Sequence, residues 1–458
     1  MLEGLEISVV KLSEVLEDVD LRLESEYYNS EHIVFNSVQG CDIESFSQYG
    51  TSEDLNEEGK GFPILRLNEF DSFFISKPSK YCDLISKETF ELLKLKKNDV
   101  LICRTNGNPK YVGKAAIVPK NYEYAFASYV FRLRPKTDII NSATLVSFLN
   151  SKYGRIEIEK YSMVGNQANF SPAKFRQIAI PILSKELNNK IEEIVYKSFE
   201  LLEESKSLYS QAEDLLLGEL GLKDWQPKNT LHTTKKFSDF AQSGRLDAEY
   251  YQPKYDEIEK ELARFEQIKI KDFINYPVSS GSTPKAGDSQ YYADCNDGIP
   301  FLRAVDIVES RIDTSDLIYI KKDVHNGLLK RTQLKKGDVL FSIAGTVGRC
   351  GIFDYDFEAN INQAIAILRF EETKLKHLYV VQFFNSRIGQ LIIQKYARQG
   401  LQTNLNLDEL SNLSIPILPE AIQTKIASLI QQSFEYKAQS KQLLEDAKRM
   451  VEAEIEKN

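Results

Sequence analysis

Two stretches of the chain, "CRTNGNPKYVGK" at 103–114 and "SIAGTVGR" at 342–349, set polar and basic side chains among glycines. The first offers Arg104, Asn106, Lys110 and Lys114, the second Thr346 and Arg349. Two longer polar segments, "YGTSEDLNEEGKG" (49–61) and "SGSTPKAGDSQYYADCNDG" (280–298), add Thr51, Ser52, Thr283 and Lys285. Each ends just before a strand-like run that carries Arg66 or Arg303. "VGNQANF" (164–170) and "QGLQTNL" (399–405) add Gln167, Asn169, Gln402 and Asn404. Arg and Lys only donate hydrogen bonds, whereas Asn and Gln both donate and accept. On glycine-supported loops these types suit phosphates and base edges. The same side chains also serve as solvated turn residues with local partners, so the argument rests on the set.

Catalytic patterns are missing by comparison. "GTVGRCG" (345–351) is glycine-rich but lacks the Lys-Ser/Thr of a phosphate loop. "GNPKY" (107–111) lacks the second proline of an amino-methyltransferase motif, and its counterpart in the second half is "GTVGR". No HExxH occurs, and His32, His232, His325 and His377 are scattered, which leaves little for a metal site or a Ser/His or Cys/His nucleophile. Cys41, Cys82, Cys103, Cys295 and Cys350 form no CxxC pair and read as free, mostly buried thiols. The expectation is a binder with no catalytic residue, no metal and no cofactor of its own.

Length and charge agree with that class. The 458 residues are enough for two to four domains. No apolar run approaches the roughly 20 residues that span a membrane. The acidic start "MLEGLEISVVKLSEVLEDVD" does not read as a secretory signal, so a cytoplasmic location is expected. The net charge of −9 is concentrated: residues 185–224 hold five basic and ten acidic residues, and 420–458 six and seven. The remainder is close to neutral, which argues against an indiscriminate polycation and leaves room for a local basic footprint.

The elements that position these loops occur twice. "RLESEYYN" (22–29) reappears as "RLDAEYYQ" (245–252), and a shift of 235 places aligns "VGKAAIV" (112–118) with "VGRCGIF" (347–353). The same shift aligns "SFLNSKYG" (147–154) with "QFFNSRIG" (382–389), and "IAIPIL" (178–183) with "LSIPIL" (413–418). Upstream, "LKKNDVLI" (95–102) matches "LKKGDVLF" (334–341), and "GFPILRLNEF" (61–70) matches "GIPFLRAVDI" (298–307). The order is kept throughout, so the chain is a duplication. The paired tyrosines of the opening string are expected to pin a lead-in segment to its domain rather than to stack on bases.

In each half a β-rich part with turn signals gives way to a heptad run. The seam reads Ile191, Ile194, Ser198, Leu201, Ser205, Leu208, Ala212, Leu215, and in the copy Ile426, Leu429, Ser433, Tyr436, Ser440, Leu443, Ala447, Met450. Matched seams with small residues in the same places make the two helices natural partners, and two globular parts favour an antiparallel pair. Roughly 29 residues at ~1.5 Å rise would form a rod of about 43 Å. That is on the order of one ~34–36 Å turn of DNA. The expected class is α+β: two pseudo-two-fold-related globular domains joined by two long antiparallel coiled-coil helices. The boundaries read 1–184 for the first domain and 185–220 for its helix. The second domain takes 221–419, with a lead-in linker at 221–244, and its helix takes 420–458.

With these blocks the chain resembles the specificity subunits of type I restriction–modification systems. The likeness lies in "YGTS…GKGFPILR", "GSTP…GIPFLRAVDI", "LKKGDVLFSIAGTVGRCGIF", "NINQAIAILRF", "FFNSRIGQ…QGLQTNLN" and "IPILPEAIQTKI", in the family's order and in both halves. The resemblance implies two target-recognition domains, each reading half of a split site in double-stranded DNA. It also implies two docked methyltransferase subunits that modify adenine, and motor-nuclease subunits in the restricting complex. S-adenosylmethionine, ATP and Mg would then belong to those partners. The first half has "GTSE" (50–53) in place of "GSTP", so the two domains are expected to read different half-sites. Other readings to separate are a target-recognition protein of a related modification or defence system, a two-headed protein-binding adaptor, and a standalone enzyme.

Overall fold

The computed structural model describes residues 9–17, 35–162, 168–227, 230, 232–285, 287–398 and 403–457. The chain divides into two compact units, residues 1–204 with 436–458, and residues 205–435.

A four-stranded antiparallel sheet lies at the centre of each unit, and the strand order is the same in both. In the first, β1 (Glu44–Tyr49), β2 (Val100–Cys103), β3 (Ala115–Ile117) and β4 (Val130–Pro135) lie in the order β1-β4-β2-β3. In the second, β5 (Ser279–Ser280), β6 (Asp338–Ser342), β7 (Cys350–Phe353) and β8 (Ile365–Leu368) lie in the order β5-β8-β6-β7. The central strands β2 and β6 are buried along their whole length, which is why Val100–Cys103 and Val339–Phe341 read as unbroken apolar runs. A smaller sheet accompanies each one, built around Phe62–Leu65 in the first unit and Ile299–Leu302 in the second.

Several residues shared by the two halves hold this frame. Asp99 receives hydrogen bonds from the Lys96 N–H at 2.9 Å and Arg134 Nε at 2.5 Å; Asp338 receives them from the Lys335 N–H at 2.7 Å and Arg369 Nε at 2.6 Å. The carboxylate thus closes the Lys-Lys turn and anchors the neighbouring strand. Asn150 clamps Ala115, donating to its carbonyl at 2.8 Å and accepting from its N–H at 3.2 Å. Asn385 does the same to Cys350 at 2.7 and 3.0 Å.

Helices α1 (Ser142–Leu149) and α2 (Lys152–Tyr161) follow the first sheet, and α3 (His377–Asn385) and α4 (Arg387–Tyr396) follow the second. Ser151 and Ser386 cap α2 and α4, each accepting from a glycine N–H at 3.2 Å. Those glycines are required by space: a Cβ on Gly154 would sit 1.9 Å from the Phe148 carbonyl oxygen, and one on Gly389 2.0 Å from that of Phe383.

Two long helices, Lys185–Glu219 and Glu420–Ile455, complete both cores. In the first unit Ile191, Val195 and Leu202 of one helix and Leu444, Ala447, Val451 and Ile455 of the other join Phe131, Phe148 and Phe170. In the second, Ala212 and Leu216 with Ile426, Ile430 and Phe434 join Phe341, Phe383 and Phe384. Within the first unit the Ser198 and Ser440 hydroxyls lie 2.9 Å apart; within the second, those of Ser205 and Ser433 lie 3.0 Å apart. Seven residues forward along one helix correspond to seven back along the other, so the pair is antiparallel.

The large seam positions differ from the heptad reading. Ile191, Leu201, Ile426 and the small residues Ser198, Ser205, Ala212, Ser433, Ser440 and Ala447 are buried. Ile194, Leu208, Leu215, Leu429, Tyr436, Leu443 and Met450 are only half-buried. The fully covered positions lie one residue on, at Val195, Leu202, Leu216, Ile430, Leu444 and Val451. Each helix packs on its own core as well as on its partner, so its apolar face is wider than a two-helix seam.

The string "RLDAEYYQ" serves packing. Arg245 is buried, chelates Asp247 at 2.6 and 2.7 Å, and donates to the Tyr396 carbonyl at 2.8 Å at the end of α4. The Tyr250 ring meets Tyr396 edge-on. Its counterpart "RLESEYYN" at 22–29 lies outside the described residues.

Candidate nucleic-acid interface

The loops that carry the candidate residues leave the ends of equivalent strands. Val130 stands opposite Cys103 in the first sheet, and Ile365 opposite Ser342 in the second. The next residue, Arg104, donates its N–H to the Tyr129 carbonyl at 2.8 Å; Ile343 donates to Ala364 at 2.8 Å. Arg104 and Ile343 therefore occupy one topological position, as do Tyr129 and Ala364. The pairing of Phe131 with Tyr49 and of Ala366 with Ser280 makes Tyr49 and Ser280 a third such couple.

In the first unit an open cleft of about 290 Å³ is lined by Arg66, Leu67, Asn68, Thr105, Asn106 and Tyr129. Beside it the Arg104 guanidinium lies 4.9 Å from the centre of the Tyr49 ring and donates to the Ser128 carbonyl at 3.3 Å. Asn169 pairs with Thr105 in a two-residue strand along the same loop. Asn106 accepts from the Asn108 N–H at 2.8 Å through Oδ1, so its free amide group is the donor Nδ2. Lys110 is exposed and Lys114 half-buried farther along the loop. Thr51 is nearly buried and belongs to the frame, donating its N–H to Phe126 and accepting at Oγ1 from the Glu53 N–H, while Ser52 is exposed. Gln167 lies outside the described residues.

Arg66 is held within the cleft wall. Its guanidinium donates to Glu69 at 3.0 Å and to Ser79 at 2.9 Å, and its N–H donates to Glu69 at 2.8 Å. Arg303 repeats the arrangement with Asp306, at 2.7 Å from its N–H and 2.9 Å from its guanidinium. That hydrogen bonding raises the Arg303 pKa further. Both arginines cap a short turn with their own acid three residues on.

In the second unit Thr283 accepts from the Gln363 N–H at 3.3 Å, and Lys285 is exposed. Thr346 and Arg349 are exposed on their loop; the Thr346 carbonyl accepts from the Ser342 hydroxyl, and the Arg349 N–H donates back to it at 2.8 Å. The Arg349 guanidinium reaches the Ile307 carbonyl at 3.3 Å. Asn404 exchanges backbone hydrogen bonds with Arg398 and bridges to Ala344. Gln402 lies outside the described residues.

Tyr49, Asn68, Tyr111 and Tyr129 stand at this surface of the first unit without having been singled out in the sequence. Tyr49, Tyr111 and Tyr129 are 43–47% exposed, but pattern alone does not separate a strand tyrosine at a surface from one in a core. Burial pushes the Cys103 thiol, next to Arg104, up to about 12, and raises Cys350 as well, so neither is a thiolate near neutral pH. Among the described residues no group of three or more His, Cys, Asp or Glu is placed to hold a metal ion, and no helix is long and apolar enough to cross a membrane.

Residues 263–448 match the family model described as "Type I restriction modification DNA specificity domain". The type I restriction enzyme EcoBI specificity subunit of Escherichia coli is 29% identical over 143 residues, 31% of this chain and 30% of that protein. Among solved structures, the S subunit of a type I restriction–modification system from M. genitalium aligns over 93% of this chain and 96% of its own, at 12% identity and a TM-score of 0.43. The HsdS subunit from Thermoanaerobacter tengcongensis aligns over 92% and 96%, at 13% identity and a TM-score of 0.29. Residues 263–448 are thus similar to the type I restriction–modification DNA specificity domain, and the chain spans under a third of the length of the curated relative it matches.

Proposed function

We propose that this chain is the DNA-reading subunit of a type I restriction–modification complex. Each compact unit binds one half of a split duplex site, and the paired helices set the gap between the halves. Two methyltransferase subunits dock on the chain and methylate adenine, and motor-nuclease subunits join them for restriction. The chain binds no cofactor itself; S-adenosylmethionine, ATP and Mg belong to the partners. The observation that carries this reading is the duplicated sheet whose equivalent edge loops bear different side chains. Arg104, Tyr49 and Tyr129 in one unit correspond to Ile343, Ser280 and Ala364 in the other, as two readers of unlike sequences require. The test is a map of methylated adenines in the source strain before and after deletion of the gene. Loss of methylation at one split motif is the expected result, and an unchanged map in a strain with an active methyltransferase refutes the reading.

A further inference from the structure

Two domains that read different half-sites cannot discriminate through residues that are the same in both and engaged in the same way. Arg66 and Arg303 are such a pair, each bound to its own acid. Discrimination has to lie where one topological position holds different chemistry. Arg104 against Ile343 is the largest such contrast, because Ile343 is 7% exposed and can donate nothing from its side chain. Arg104 is also held in advance. The Tyr49 ring under its guanidinium and the Ser128 carbonyl at 3.3 Å fix the plane of the fork, one from the end of β1 and the other from the turn before β4. Beside it Asn106 has its carbonyl oxygen taken by the Asn108 N–H and keeps Nδ2 as a donor. Arg104 thus offers donors alone, and Asn106 adds Nδ2 beside it. In the major groove guanine alone presents two acceptors on one base, N7 and O6; adenine presents one acceptor and one donor.

Resting on the function proposed above, we infer that the first unit reads a guanine in its half-site through Arg104, with Tyr49 as the residue that positions the guanidinium. The second unit has no such reader at the equivalent place.

The experiment is selection from random duplexes by the full-length chain with its methyltransferase partner, followed by binding to the selected site with each guanine replaced in turn by 7-deazaguanine. One guanine in one half-site is expected to be sensitive to loss of N7. In Arg104→Ala the preference at that base pair should fall by roughly five- to 150-fold, the discrimination given by a bidentate arginine–guanine pair. The second half-site should be selected as before, which shows that the variant is folded. Arg104→Lys covers the case in which the alanine variant binds nothing, since it keeps the charge and loses the fork. Tyr49→Ala should weaken the same base preference and no other. The inference is overturned if Arg104→Ala binds all sequences more weakly by one factor with a shallower salt dependence, the mark of a phosphate contact. It is overturned too if no guanine in either half-site responds to 7-deazaguanine. If wild-type protein selects no split site at all, the proposed function itself fails, a result distinct from both of these.

Discussion

Removing one frame carboxylate should have very different effects in the two units. Asp99 is 1% exposed and is shared by Arg132, itself 2% exposed, and Arg134, which is partly in solvent. Arg132 also donates to the Lys94 and Leu92 carbonyls at 2.8 Å and to Gln48. In Asp99→Ala those neutral acceptors remain, but a buried guanidinium loses its counter-charge, which costs about 3–5 kcal/mol. Asp338 is equally buried, yet its one arginine, Arg369, is 24% exposed and can turn to water. The position equivalent to Arg132 is Ile367, so Asp338→Ala strands no buried charge. Its cost is that of lost charge-assisted hydrogen bonds, about 1.5–3 kcal/mol. The assay is urea unfolding followed by two signals. The single tryptophan, Trp225, lies in the second unit and reports on it, while circular dichroism reports on both. With a slope of ~2 kcal/mol per molar urea, Asp99→Ala should move the dichroism phase of the first unit down by roughly 1.5–2.5 M and leave the tryptophan midpoint in place. A cost below that of Asp338→Ala would refute the claim that Asp99 neutralises a buried charge.

Two more outcomes concern the helices and the lead-in segment. Ser198→Val replaces a buried hydroxyl that meets Ser440 with a branched apolar group, and should destabilise the first unit by about 1–3 kcal/mol in the same urea assay. Hydrogen bonds from Arg245 hold the Asp247 carboxyl below the usual carboxylate range, so its contribution is present above the unfolded pKa and is lost as pH falls through the lower folded one. Thermal midpoints of wild type and Asp247→Asn should therefore differ at pH 6 and converge below roughly pH 4, the ordinary aspartate value. A constant difference down to pH 2 would exclude this origin.

The duplication was legible because paired blocks such as "SFLNSKYG" and "QFFNSRIG" carry polar residues whose frame role demands the same type twice. Asn150 with Asn385 and Gly154 with Gly389 are cases in point. The antiparallel helices and their small-residue layers could be read from spacing, because serine and alanine recurring in phase on both helices leave room for two backbones to approach closely. The large seam residues could not, since a heptad does not record that each helix also faces a sheet. Among the polar loops, composition marked Arg66 and Arg104 alike. What separates them is an acid three residues on, Glu69, for the one and a ring brought from another strand, Tyr49, for the other. The first is visible in sequence as the pair Arg-x-x-acid in both halves; the second depends on strand pairing between residues far apart.

The division of the chain into units has a consequence for its synthesis. The first unit includes residues 436–458, and Leu444, Ala447, Val451 and Ile455 sit in the same core as Phe131 and Phe148. A ribosome that has finished residue 204 must make some 240 more before that core can close, a delay on the order of ten to fifty seconds at ordinary elongation rates. The second unit is a continuous stretch, 205–435, and is complete while the first still lacks a wall. The half that begins first is the last to be finished. Loss of residues 436–458 should therefore injure the first unit and spare the second.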